Sequence, residues 1–182
     1  MINSIIPYER SYWVLPNKLL AGEIPSSKTE SRKIQKINNL LDCNIDVIIN
    51  LMEEVEKNFS DEVLEDYSIT LFKEADKKNK KIEMLRYAIK DLNIPTESFM
   101  VEILNKIDQQ IALGKKVYVH CWGGVGRTGT VIGCYLVRHG FAEPDRVIDT
   151  INYLKRTTNI AHRSSPETEE QCQFVLNWST NK

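Results

Sequence analysis

Short β-branched runs alternating with helix-periodic segments predict an α/β fold, a sheet covered by helices on both faces. Val47-Ile48-Ile49-Asn50-Leu51 and Lys116-Val117-Tyr118-Val119-His120 are the compact apolar runs of buried strands. Between and after them, apolar residues recur at three- and four-residue spacing, and Gly114 and Gly140 stand where helices should close.

Taken in order, Ile34, Ile37, Leu40 and Leu41 place a helix within Ser27 to Leu41, ahead of the first strand. Lys73 to Lys81 carries five lysines among acids and reads as a solvated loop, with electrostatic steering of anionic substrates as a minor reading. Tyr87-Ala88-Ile89 reads as a short strand ending at Lys90-Asp91. Pro95 or Thr96 opens a helix carrying Phe99, Ile103, Ile107 and Ile111, and Gly114 ends it. After the second strand and a glycine-rich loop, Val131 to His139 is helical. Pro144-Asp145 opens another helix with Val147, Ile148, Ile151 and Leu154 on its apolar face. A last helix begins near Pro166, has Glu167, Glu169 and Glu170 in its first turn, and buries Phe174 and Trp178.

The length of 182 residues suits one domain over 1–182, large enough to bury a core without disulfides. Twenty-four basic residues against 25 acidic ones give a formal charge of -1. That balance argues against nucleic acid as a partner. No apolar run reaches the length of a membrane helix, and the amino end lacks the pattern of a signal peptide. Cys43, Cys121, Cys134 and Cys172 form no CxxC pair or metal spacing. A cytoplasmic setting follows, with secretion by a route needing no such peptide left open. No cofactor and no metal is expected.

The chemistry concentrates in His120-Cys121-Trp122-Gly123-Gly124-Val125-Gly126-Arg127-Thr128-Gly129, between a strand and a helix. Three glycines let the backbone turn so that the N–H groups of Trp122, Gly123, Gly124, Val125 and Gly126 form an anion nest. The following helix points its positive amino end at the same place. There the field favours a Cys121 thiolate, Arg127 offers a planar fork to two phosphate oxygens, and Thr128 can hydrogen-bond the sulfur. A thiolate within a phosphate cradle is the apparatus for cleaving a phosphate monoester through a phosphocysteine. Two rival motifs fail on context. Gly124-x-Gly126-x-x-Gly129 lacks the following strand and acid of a dinucleotide site, and no lysine follows Gly129 as a Walker A loop requires.

The run HCWGGVGRTG matches His-Cys-x5-Arg-Ser/Thr-Gly and resembles the protein tyrosine phosphatase superfamily. Within it the small dual-specificity phosphatases are most similar, and the loop is similar to that of kinase-associated phosphatase. The resemblance implies a central mixed sheet, Cys121 as nucleophile, Arg127 as the transition-state clamp and a structural His120. The leaving group needs an acid, which in this family sits on a loop after a strand upstream of the cysteine. Asp91, 30 residues before Cys121, fits that context better than Asp76 in the lysine-rich segment. The segment from Ser165 to Phe174 is similar to one that supplies water-orienting glutamines in tyrosine phosphatases. In that register Glu167 takes the principal position and Gln171 the secondary one, so a capped terminal helix is the stronger reading of Gln171. The loop interior has no lysine, unlike many phosphoinositide phosphatases of this superfamily, so phosphorylated proteins lead as substrates. Inositol phosphates or other small phosphates follow, as does a pseudophosphatase that only binds phosphoproteins. Cys43, Cys134 and Cys172 are expected as buried small hydrophobes and His139 at a helix end; a contact from Arg163 to a second phosphate or carboxylate is a minor reading.

Overall fold

The computed structural model describes residues 5–57 and 66–180. Among them, strands β1 (Ser11–Leu15), β2 (Leu19–Glu23), β3 (Val47–Asn50), β4 (Glu83–Arg86) and β5 (Val117–Cys121) form one sheet in the order β1-β2-β5-β3-β4. Only β1 runs antiparallel to its neighbour, so the sheet is mixed, as expected. The α-helices among the described residues are α1 (Glu30–Asp42), α2 (Ser68–Lys77), α3 (Glu97–Ala112), α4 (Gly126–Arg138), α5 (Val147–Leu154) and α6 (Glu169–Leu176).

Side-chain alternation along the strands divides the core in two. Val47, Ile49, Val117 and Val119 face α3 to α6, whereas Ile48, Tyr118 and Leu20 face α1 and α2. Each of the aliphatic side chains among them is fully buried, worth about 1.5–3 kcal/mol apiece. Helix α4 crosses the larger core and is buried along nearly its whole length. The four parallel strands end on one edge of the sheet, where open α/β sheets place their ligands. Glu23 and Cys121 stand side by side there, in register across β2 and β5.

Several boundaries differ from the sequence reading. Lys73 and Lys77 lie on helix α2, not in a solvated loop; Leu71 and Ala75 bury its inner face, and the lysines are its solvent face. Tyr87-Ala88-Ile89 is not a strand. Strand β4 is Glu83–Arg86, and the chain beyond it still follows β3, with Tyr87 N–H donating to Asn50 O and Ile89 N–H to Leu51 O. The last helix starts at Glu169 rather than near Pro166, because Thr168 caps it. Helix α4 begins at Gly126, inside the glycine loop, five residues before Val131. Pro144 opens a 3-10 turn, Pro144–Arg146, that leads into α5. The β1–β2 hairpin was not anticipated; it turns through Asn17 at φ 58. Of the three cysteines expected to be buried, only Cys134 is; Cys43 and Cys172 are half-buried. Residues 58–65 lie outside the description. No described helix is long and apolar enough to cross a membrane.

Candidate active site

Cys121 ends β5 and is 3% exposed. The backbone then turns through Gly124 at φ +70, where a Cβ would sit 2.5 Å from the Gly22 carbonyl carbon. Only glycine lets the loop lie this close to the end of β2. The Ile24 N–H donates to Trp122 O at 3.1 Å, and Ser165 Oγ donates to Val125 O at 2.7 Å, so the loop is tied on both sides. Helix α4 starts from that fixed turn, with Gly129 N–H closing onto Val125 O.

A cavity of about 280 Å³ opens above this loop. Cys121, Trp122, Gly123, Gly126 and Arg127 line it together with Asp91. Gly124 and Val125 are buried against β2 and Ser165. Thr128 Oγ1 is buried and has no hydrogen-bond partner. Arg127 is 1% exposed, and its guanidinium is the electrostatic centre of the site. Nη1 and Nη2 donate to the two carboxylate oxygens of buried Glu56 at 2.6 and 2.7 Å, and Nη1 also donates to Ile89 O. Asp91 Oδ1 lies 2.9 Å from Nη2. Burial by itself would lower the Arg127 pKa. The bond to Glu56, with Cys121 and Asp91 nearby, more than offsets that and holds the pKa above the usual arginine value. Nε is buried without a partner, which leaves a donor for an incoming oxygen.

His120 lies behind the loop. Its Nδ1 is 3.1 Å from Cys121 O, and its Nε2 is 2.6 Å from the Tyr67 hydroxyl. A carbonyl only accepts, so Nδ1 carries the proton and Tyr67 donates to Nε2. Burial, with Arg127 and Arg86 nearby, outweighs the bond to Cys121 O and lowers the His120 pKa to about 3. The ring is therefore neutral and orients the backbone at the cysteine.

Asp91 sits on the loop after β4 with a side chain 41% exposed. Asp76, the weaker acid candidate, is exposed on α2 and does not line the cavity. Gln171 is wholly buried; Oε1 accepts from the N–H groups of Glu167 and Thr168, and Nε2 donates to Asn93 O. It caps α6 and links that helix to the Asp91 loop, in line with the capped-helix reading. Glu167 pairs with Arg163 at the cavity rim. His139 caps α4 and lies 2.9 Å from Asp108, at the helix end expected for it. Sequence reasoning missed Glu56, Tyr67 and Ser165. Glu56 lies in an ordinary acidic stretch, Glu53-Glu54-Val55-Glu56, and no local pattern marks it as Arg127's partner.

The family described as Swiss Army Knife protein, DSP-PTPase phosphatase domain, matches residues 8–175. The chain belongs to this phosphatase family. An uncharacterised protein of Methanocaldococcus jannaschii is 35% identical over 98 residues, 54% of this chain and 60% of that protein. The chain thus spans less than two thirds of that relative. Phosphatidylglycerophosphatase and protein-tyrosine phosphatase 1 of Rattus norvegicus is 25% identical over 150 residues, 82% of this chain and 69% of its own. The fold is shared with kinase associated phosphatase, with a TM-score of 0.65 at 17% identity, covering 92% and 91% of the two chains. It is shared also with the core catalytic domain of the PP-IP phosphatase SIW14 of S. cerevisiae, with a TM-score of 0.66 at 17% identity, covering 98% and 91%. The resemblance read from HCWGGVGRTG and the mixed sheet it implied are both borne out.

Proposed function

We propose that this chain hydrolyses phosphate monoesters through a phosphocysteine on Cys121. The observation that carries the reading is Arg127, buried beside Cys121, fixed by Glu56 and keeping Nε free. The Cys121 thiolate attacks phosphorus and the P–O bond to the leaving group breaks, while Nε, and Nη2 once a phosphate oxygen displaces Asp91 from it, hold two equatorial oxygens. Asp91 gives its proton to the departing oxygen. Water then attacks phosphorus, Asp91 takes its proton, the S–P bond breaks, and inorganic phosphate leaves. The Thr128 hydroxyl is free to donate to the sulfur when it departs as thiolate.

Phosphorylated proteins are the leading substrates, supported by a loop interior without lysine from Trp122 to Gly126. A phosphorylated lipid or inositol has its own support, in relatives named phosphatidylglycerophosphatase and PP-IP phosphatase. Phosphopeptides and phosphoinositides assayed side by side decide between them by the higher kcat/KM. The chemistry is tested with Cys121→Ser: turnover is lost while phosphate and vanadate still bind. Appreciable hydrolysis by that variant overturns the mechanism.

A further inference from the structure

The cavity over Cys121 continues into a second groove of about 590 Å³, and Arg10, Glu23 and Ser26 line both. This groove carries four cations, Arg10, Lys28, Arg32 and Lys36, against two acids, Glu9 and Glu23. Their pairing is unequal. The single Glu23 carboxylate takes both Arg10 Nη1 at 3.2 Å and Lys36 Nζ at 2.5 Å. Glu23 is the register partner of Cys121, so two cations on one negative charge stand beside the proposed nucleophile. Lys36 is only 15% exposed and also donates to Ser26 O, so its position is set from two sides. Glu9 accepts from Asn159. Lys28 and Arg32 are exposed, and neither side chain has a hydrogen bond or ion pair with a described residue.

An unpaired surface cation is ordinary by itself; here the cations share one groove with the reaction cavity. Here positive charge is left over, in a concave site continuous with the reaction cavity, where low-dielectric walls focus its field. The scissile phosphate does not use it, since the glycine loop and Arg127 supply that cradle. We propose that Arg10, Lys36 and Arg32, bracketed by Glu23, form a subsite for a second phosphate or carboxylate carried on the substrate's leaving group. The proposal rests on the phosphatase reading and narrows it to substrates with two anionic groups, whether a small bisphosphate or a phosphopeptide with acidic flanks.

The test compares kcat/KM for propanediol and hexanediol bisphosphates with the matching monophosphates, and for phosphopeptides with acidic or neutral flanks. In at least one series the second anion should raise kcat/KM about tenfold at low salt, and the gain should shrink at high salt. The favoured series identifies the source of the second anion. Arg32→Gln, at an exposed residue with no partner to disturb, should cut the preference about threefold, the scale of one exposed charge contact. Lys36→Gln should cut it at least as far, with thermal melting checking its fold. The same ratios measured as binding to Cys121→Ser by calorimetry need no turnover. They separate this proposal from the hydrolytic one: no hydrolysis of any monophosphate sinks the reaction, whereas a binding preference lost with Arg32 and Lys36 still upholds the subsite. No preference in either series, or one that survives both substitutions, overturns it.

Discussion

The two halves of the site are built differently. The nucleophile half is a short stretch of chain locked by backbone: Gly124 lies against Gly22, Trp122 O is bonded to Ile24, and Val125 O to Ser165. Its functional atoms are buried. The carboxylate half is assembled from segments remote in sequence. Glu56 arrives after β3 and Asp91 after β4, and Asp91 stays 41% exposed on a loop held through Asn93 by Gln171. A group that must hold phosphate and carry negative charge gains from a fixed, dehydrated frame. A group that must pass a proton to a leaving group and later take one from water needs access to both. Rigidity and exposure are thus divided according to the task.

The largest expected effect lies on the rigid side. Arg127→Lys should lower kcat/KM by at least about 10²-fold for every substrate, because a point charge cannot replace a fork anchored at one end by Glu56. Steady-state kinetics on an aryl phosphate checks it, and loss confined to poor leaving groups would put Arg127 in the wrong half of the comparison. On the exposed side, Asp91→Asn should lower kcat/KM, which reports leaving-group departure, by about 10²–10⁴-fold for alkyl phosphates and far less for activated aryl phosphates. Asp76→Asn on α2 should do neither; if Asp76→Asn shows the leaving-group dependence and Asp91→Asn does not, the acid is misassigned.

A further effect, on stability rather than rate, concerns the support behind the loop. His120 has a pKa of about 3 in the folded protein, against an ordinary value near 6.5. The unfolded chain therefore binds a proton that the folded chain refuses between those values. The contribution of His120 is whole above pH 6.5 and is lost as pH falls toward 3, at up to about 1.4 kcal/mol per pH unit. Denaturant unfolding at stepped pH should show this slope in the native chain and a shallower one in His120→Gln. Equal slopes would mean that the imidazole is not held neutral.

The same division explains what the sequence could reveal. Cys121, Arg127 and the three loop glycines fall within seven residues, and their spacing is the geometry, so they could be read directly. Asp91 can be singled out as an acid only because a cysteine and an arginine in this spacing call for one upstream. Glu56 and Tyr67 act on the loop from 71 and 53 residues away, and pairing at that range leaves no periodicity or spacing to read. The fold shows a like pattern. β3 and β5, buried on both faces, announce themselves as apolar runs, but β4 at the sheet edge is only partly covered and its Glu83-Met84-Leu85-Arg86 has no such run. The lysines of α2 disguised a helix whose inner face needs only Leu71 and Ala75.

The most direct test of the account is to look for the phosphoryl group on sulfur. Asp91→Asn with an activated aryl phosphate should form the phosphocysteine readily but hydrolyse it slowly, because the carboxylate that takes the proton from water is gone. Acid quenching within the first turnover, followed by mass spectrometry of the peptides, should find one phosphoryl group on the Cys121 peptide and none there in Cys121→Ser. Release of a full equivalent of the phenol with no phosphoryl group on Cys121, or with the group on another residue, would contradict the account.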